Sequence, residues 1–235
     1  REESNASLSR LMIGAEPPAL ERRAAQLGAV VLRVDNLNLP RTDPFGVDLI
    51  DIELQVQAGE VVGIAGVSGN GQKEMLYALS GEDARAAPAM VQLAGQNAGH
   101  LGPRRRRALG LHFVPEERLG RGAVPSVGLA HNLLLTRSDA VRALGWIDVA
   151  ALRRQAQEII TRFGVKAGGP DAPAQSLSGG NLQKFIVGRE ISAGPRLLIV
   201  SQPTWGVDVG AAQQIRSEIL ALRDAGCAVL VVSEE

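Results

Sequence analysis

The sequence predicts an α/β fold: a mostly parallel sheet, a small antiparallel subdomain and an α-helical subdomain. Three observations carry this expectation. Short apolar runs at Val61–Ala65, Leu197–Val200 and Ala228–Val232 have the length and composition of strands buried in a parallel sheet. Segments of helical character, Met75–Leu79 and Ala211–Arg223, follow such runs as crossover helices do. The first run also opens directly into a glycine-rich loop, Gly66–Glu74, which leads into a helix.

The bulk properties bound the answer. A chain of 235 residues is one domain, or one domain with a small insertion. Lys+Arg and Asp+Glu number 25 each, so the net charge is zero and no bulk electrostatic partner such as nucleic acid is expected. The single cysteine, Cys227, precedes an apolar run and is expected to be a buried thiol in a reducing compartment. No run of about 18 apolar residues is present, and no signal-peptide pattern. His100, His112 and His131 lack ligand spacing, so no metal site is expected. The polar opening and the stop at Ser233-Glu234-Glu235, straight after a strand, suggest a piece of a longer protein.

Taken in order, residues 1–28 read as a linker, with an apolar patch at Leu8, Leu11, Met12 and Ile13 before Pro17-Pro18. Val30–Val34 and Leu49–Val56 read as strands, the second alternating through Ile50, Ile52, Leu54 and Val56. Met90–Leu93 is a further strand of the antiparallel part. Arg104–Arg107 is a charge run at a helix start, expected for the most part to be a solvated face. Leu111–Val114 is a strand running into Pro115-Glu116-Glu117-Arg118. Between Val127 and Pro173 the pattern is helical. One face comprises Val127, Leu129, Leu133 and Leu134; another comprises Val149, Leu152, Ala156, Ile159, Ile160 and Phe163. Trp146 and Phe163 are expected to pack rather than bind.

Three stretches carry chemistry. The pattern G-x-x-x-x-G-K-[ST] of a phosphate-binding loop aligns with Gly66 and Gly71 in Gly66-Val67-Ser68-Gly69-Asn70-Gly71-Gln72-Lys73-Glu74. Its backbone nest is kept. The lysine position, however, is Gln72, and the hydroxyl position is Lys73, which cannot ligate magnesium. Ser176–Lys184 places Ser178 as the N-cap of a helix, and Gly179 and Gly180 leave the first N–H groups bare for a phosphate. On those letters alone an ordinary capped helix fits equally well. The third stretch, Ser201-Gln202-Pro203-Thr204-Trp205-Gly206-Val207-Asp208, follows the strand Leu197–Val200.

That succession, LSGG then strand then QPTxGxD, resembles the ATP-binding cassette of ABC transporters, a P-loop NTPase, and the resemblance runs from about Val30 to Glu234. LSGGNLQK with SQPTWGVDVGA is similar to the second, C-terminal half of tandem ATPases that serve simple-sugar and nucleoside importers; Leu182 departs from the usual LSGGNQQK. The resemblance implies a linker over 1–28 and a cassette over 29–235, truncated after its last visible strand, with the helical subdomain at about 125–178. It implies nucleotide binding by Gly66 to Glu74 and by Glu116, in a VPE(D/E)R-like loop. It assigns Ser178, Gly179, Gly180, Asn181 and Gln183 to the signature, and Gly206, Val207 and Asp208 to the loop that crosses between paired cassettes. Phe45 is the one candidate in its region for stacking on a base.

The catalytic positions are substituted. Ser201 and Gln202 stand where the family places a metal-ordering aspartate and a general base, and Gln202 cannot take a proton at neutral pH. Glu234 stands where a histidine contacts the γ-phosphate, and its charge would repel that group. The resemblance therefore implies a division of labour. This half donates its signature to ATP and magnesium held by an N-terminal cassette of the same polypeptide, and by itself is weak or inactive in hydrolysis. The implied partners are transmembrane permease subunits and, indirectly, a solute-binding protein, with the chain peripheral on the cytoplasmic face of the plasma (inner) membrane. Three other readings stay open: a self-sufficient homodimeric ATPase, a non-transport ABC protein, and a scaffold that binds no nucleotide. The second would need a basic stripe or long insertions, and neither is visible.

Overall fold

The computed structural model describes residues 26–137 and 146–234, so all but the last three residues of the expected linker lie outside the described residues. The described residues form eight strands: β1 (Val30–Leu39), β2 (Leu49–Gln57), β3 (Val61–Ala65), β4 (Val91–Leu93), β5 (Gln96–Asn97), β6 (Leu111–Val114), β7 (Leu197–Ser201) and β8 (Ala228–Ser233). The order β2-β1-β4-β5 makes an antiparallel sheet, and β3-β8-β7-β6 a parallel one. The helices among the described residues are α1 (Gln72–Ser80), α2 (Pro103–Ala108), α3 (Leu129–Asn132), α4 (Val149–Arg162), α5 (Gly179–Ile191) and α6 (Val209–Asp224). The α/β architecture expected from the apolar runs is the one observed.

The pleat of the parallel sheet divides the core in two. Leu197, Ile199, Ala228, Leu230 and Val232 face α1 and the antiparallel sheet. Leu198, Val200 and Val229 face the opposite way, onto α3–α6. Of the apolar face read from helical spacing, Leu152, Ala156, Ile159, Ile160 and Phe163 are buried in that second cluster, while Val149, at the start of α4, is half-buried. The other predicted face is shorter than its pattern: α3 makes one turn and passes into a 3-10 turn at Leu133–Leu135, with Leu129 and Leu133 buried. Trp146 is exposed, and Cys227 is buried, its thiol pushed up to about 12 by desolvation.

Three expectations are corrected. The strand β3 is an edge strand among the described residues and only half-buried, because its hydrophobic run pairs on one side with β8 alone. Ile50 does not face the core and is 67% exposed. The pairing slips between Leu37↔Ile52 and Leu39↔Leu49, where Asp51 takes a left-handed φ of 51°. This bulge turns Leu49 inward in place of Ile50. Asn38 locks it: its Oδ1 accepts from Asp51 N at 3.0 Å, and its Nδ2 donates to Asp51 Oδ1 at 3.0 Å.

The arginine run is the third correction. Arg104 and Arg105 are exposed as expected, but Arg106 is fully buried. Its guanidinium donates to Leu101 O (2.7 Å), Leu79 O (2.8 Å), Gly99 O (2.9 Å) and Ala78 O. Two of these are carbonyls from the last turn of α1, which the helix cannot satisfy itself. Burial lowers the Arg106 pKa to about 10, and the group stays charged at neutral pH. Arg107 turns the other way, to a buried cluster. Its Nη1 donates to Glu190 Oε2 at 2.8 Å, His112 Nδ1 lies 2.8 Å from the same oxygen, and Arg189 Nε donates to Glu190 Oε1 at 2.8 Å. Arg189 also donates to Asn132 O at 3.2 Å, so one ionic cluster ties α2, β6, α3 and α5 together.

Candidate functional site

The loop after β3 is shaped by glycines in the left-handed region, Gly69 at φ 89° and Gly71 at φ 90°, conformations that side chains resist. Gly71 is the N-cap of α1. Space beside Gly69 is open, as a loop that must lie against a ligand requires. The Gln72 side chain folds back across the turn: Nε2 donates to Val67 O at 3.0 Å, and Oε1 accepts from Asn70 N at 3.1 Å. Asn70 Nδ2 also donates to Val67 O at 2.9 Å. One backbone donor of the nest is thus already engaged by the residue that replaces the family's lysine.

Beside the loop lies a cavity of about 400 Å³. Gly66, Ser68, Gly69, Gly71, Gln72, Lys73 and Glu74 line one side of it. Glu116 from beyond β6, Ser201 and Gln202 from the end of β7, and Glu234 from beyond β8 line the other. It opens at the carboxyl ends of parallel strands, where ligands of open α/β sheets bind. Phe45, 95% exposed, stands at its mouth. Val67 and Asn70 belong to the loop but do not line the cavity.

The substituted positions are occupied in detail. Gln202 has a left-handed φ of 46°, uncommon for a residue with a side chain. Its N–H donates to Val232 O at 2.8 Å, and its Oε1 accepts from Ser233 Oγ and Glu234 N, each at 3.3 Å. Ser201 is buried. Glu74 Oε1 accepts from Val47 N at 3.3 Å. Glu117 accepts from Arg121 Nη1 at 2.9 Å, and Arg121 also pairs with Glu82. Burial would raise the Glu117 pKa; Arg121 and, more weakly, Lys73 outweigh it and hold the carboxyl low. The Lys73 ammonium lies 5.6 Å from the centre of the Tyr77 ring. Magnesium takes oxygen ligands, and the two positions that would hold it by the family pattern do not fit it: one carries the Lys73 ammonium, and at the other the Gln202 oxygen is turned to β8.

The signature stretch gathers elsewhere. Ser178 caps α5, its Oγ accepting from Asn181 N at 3.4 Å and Asn181 Nδ2 at 2.8 Å. Gly180 packs on Val207, whose Cα would lie 3.6 Å from a β-carbon there. Asp208 caps α6, accepting from Ala211 N at 2.8 Å. Ser178, Gly179, Gly206 and Asp208 are exposed, together with the apolar Trp205 and Val209. None of residues 178–181 or 206–208 lines the cavity over the glycine loop. The predicted site residues thus form two clusters.

Gln183 does not share the exposed face. It is 1% exposed and works from inside, accepting from Arg118 Nε at 3.0 Å and donating to Pro203 O at 3.3 Å. Arg118 is the residue sequence reasoning passed over. Its Nη2 donates to Trp205 O, and a β-carbon at Gly179 would come within 2.7 Å of its Nη1. No carboxylate pairs with it among the described residues, and desolvation lowers its pKa. Its place in Pro115-Glu116-Glu117-Arg118 was the available signal.

A glycine loop between a parallel strand and a helix, with a capped glycine helix start beside a QPTxGxD loop, defines a nucleotide-binding cassette of the P-loop class. A family profile described as "ABC transporter" matches residues 49–205, and the chain belongs to that family. It is 38% identical over 239 residues to the guanosine import ATP-binding protein NupO of Bacillus subtilis, matching 100% of this chain and 46% of that protein. It is 36% identical to the nucleoside import ATP-binding protein NupA of Lactococcus lactis (100% and 46%), and 39% identical to the glucose import ATP-binding protein TsgD13 of Haloferax volcanii (99% and 43%). The chain spans less than half the length of these curated relatives. Among solved structures, the dimeric bacterial ABC transporter cassette MJ0796 shares the fold at a TM-score of 0.73 and 20% identity, over 87% of this chain and 88% of that one.

Proposed function

We propose that this chain is the C-terminal cassette of a tandem ATPase that powers import of sugars or nucleosides, and that it donates its signature to the ATP site of the partner cassette. One observation carries the reading: exposed Ser178, Gly179, Gly206 and Asp208, with half-buried Gly180 and Val207 between them, form a surface apart from the chain's own cavity, in which the catalytic positions are replaced. A surface that completes a pocket must present donors outward. Gly179 and Gly180 put no side chain of their own over the first N–H groups of α5, and Ser178 adds a hydroxyl. Exposed Trp205 and Val209 supply apolar area for a partner to cover.

In this reading the cassette occupies 29–235, with a helical subdomain at about 125–178, and residues 1–28 join it to the preceding cassette. ATP with magnesium sits in that cassette's loop and is hydrolysed there. Here a nucleotide binds to the nest of Gly66–Glu74, with Phe45 available for stacking, and is not hydrolysed, because Gln202 takes no proton. Closure of the two cassettes moves the permease through the loop at Glu116 and the helices after Ser126. The chain rests against that permease on the cytoplasmic face of the membrane, with a solute-binding protein delivering the cargo. Names of the relatives support importer work; the exposure of Ser178 and Gly179 supports the donor role.

The test is Ser178→Arg in the longer polypeptide that carries this chain, with ATP turnover measured beside the wild type. The added guanidinium fills the space before α5, and turnover should fall at least about tenfold, the rate equivalent of 1.4 kcal/mol. Unchanged turnover in a variant that melts like wild type refutes the donor role.

A further inference from the structure

We propose that the glycine loop of this chain takes a nucleoside di- or triphosphate without a divalent cation, the Lys73 ammonium standing in the place of magnesium. The inference rests on the reading above that Gly66–Glu74 binds a nucleotide, and it names the ionic form in which the nucleotide is bound.

Lys73 is the second residue of α1, directly beyond the left-handed Gly71 and the folded-back Gln72. Its side chain lines the cavity beside Gly69, Gly71 and Glu116. Among the described residues no hydrogen bond or salt bridge ties it down; its contact is with the face of Tyr77. Glu117, the carboxylate that feels its charge, is already bonded to Arg121. An exposed ammonium with three donors and no hydrogen bond among the described residues therefore stands beside the region where polyphosphate oxygens collect.

A divalent ion has poor prospects in the same place. Magnesium demands a near-octahedral set of oxygens and is held by few protein ligands, so the loss of one weighs heavily. The position after Gln72 offers no oxygen at all. Gln202 Oε1 accepts two hydrogen bonds from the exit of β8, and Ser201 is buried at the strand end. Among the described residues five carboxylates line the cavity. Asp43 and Glu74 accept backbone N–H groups and Glu117 is bonded to Arg121, so Glu116 and Glu234 remain, and an ion on either would share the cavity with the Lys73 charge. These carboxylates oppose a bare polyphosphate, and Arg121, the other cation among the described residues of the cavity wall, is paired with Glu82 and Glu117, so Lys73 is the group on which its binding turns.

The experiment uses the purified 235-residue chain and a fluorescent ADP or ATP analogue, titrated in excess magnesium and in EDTA. The wild type should bind with affinities within about threefold of each other in the two buffers. Lys73→Met should weaken binding at least about tenfold in both. Lys73→Ser, which restores a hydroxyl, should weaken it in EDTA and recover it with magnesium. Lys73 is exposed and makes no hydrogen bond, so both variants should melt like the wild type. Wild-type binding that needs magnesium overturns the inference while leaving the nucleotide reading intact, and unchanged binding by Lys73→Met overturns it too. No binding by the wild type or by Lys73→Ser in either buffer overturns the nucleotide reading, and this inference with it.

Discussion

Replacing Glu190 by Gln isolates the charge that binds the signature helix to the rest of the cassette. The carboxylate is fully buried and contacts Arg107, His112 and Arg189, each at 2.8 Å. The amide has nearly the same shape, so packing is kept and one negative charge is lost. Arg189, itself buried, is then left as an uncompensated cation, and an amide NH2 must face other donors. Breaking a buried pair from one side costs about 3–5 kcal/mol. For a domain of this size 1 kcal/mol moves the midpoint by about 2–4 °C, so Tm should fall by about 6–20 °C. Burial would raise the Glu190 pKa, but Arg189, His112 and Arg107 outweigh it and hold the carboxyl well below the usual range. Its stabilisation is therefore complete above the unfolded value of about 4.3 and is lost as pH falls towards the folded one. Thermal melts by circular dichroism from neutral pH to about pH 3 should show the two curves converging on acidification. A neutral-pH difference below about 2 °C, or a gap that widens in acid, refutes the electrostatic account.

Two further outcomes follow from single side chains. Arg118→Leu removes the ties to Gln183 and Trp205, and hydrogen bonds to a charged donor of this kind are worth about 1.5–3 kcal/mol. Partial exposure places the expected loss at the low end, read from urea unfolding, and Arg118→Lys should not rescue it because one ammonium cannot span both acceptors. Arg106→Met should cost at least about 3 kcal/mol, since it leaves the carbonyls of Ala78, Leu79, Gly99 and Leu101 without their donor in the interior. A denaturant midpoint equal to wild type would show that water replaces the guanidinium.

The parts legible in the sequence are those with a local cause. Glycines that demand left-handed backbone, a serine before a helix, and apolar runs of strand length announce β3, the loop, α1, α5 and β7 from nearest-neighbour rules. What failed was set by distant partners. Period-2 alternation put Ile50 inward, but it holds only while the backbone stays extended, and Asp51 interrupts it under the hold of Asn38. The four arginines are equivalent as letters. Only the fold shows that Arg106 meets the end of α1, and that Arg107 meets Glu190, 83 residues away. Gln72 reads as the loss of a phosphate ligand, yet its amide both donates and accepts within the turn, which the motif comparison cannot reveal.

The two clusters of site residues are separate as surfaces but not as mechanics. The strand β6 ends at Val114; Glu116 then enters the cavity, while Arg118 reaches the signature helix and the loop at Trp205. Two residues of chain span at most about 7 Å, so Glu116 and Arg118 stay close neighbours. At its other side β6 is anchored through His112 to Glu190, and hence to α5 itself. Arg118 and Glu190 thus hold the signature helix at two points, one at its start and one near its end, both referred to the same strand. A ligand that shifted Glu116 would act on charged and partly buried linkages, and a change in the orientation of Ser178–Gly180 is the expected outcome. If Arg118→Leu left the conformation of α5 sensitive to nucleotide in the cavity, as judged by hydrogen exchange at residues 178–183, the linkage would have to run through Glu190 instead, and the Glu190→Gln variant would then lose it.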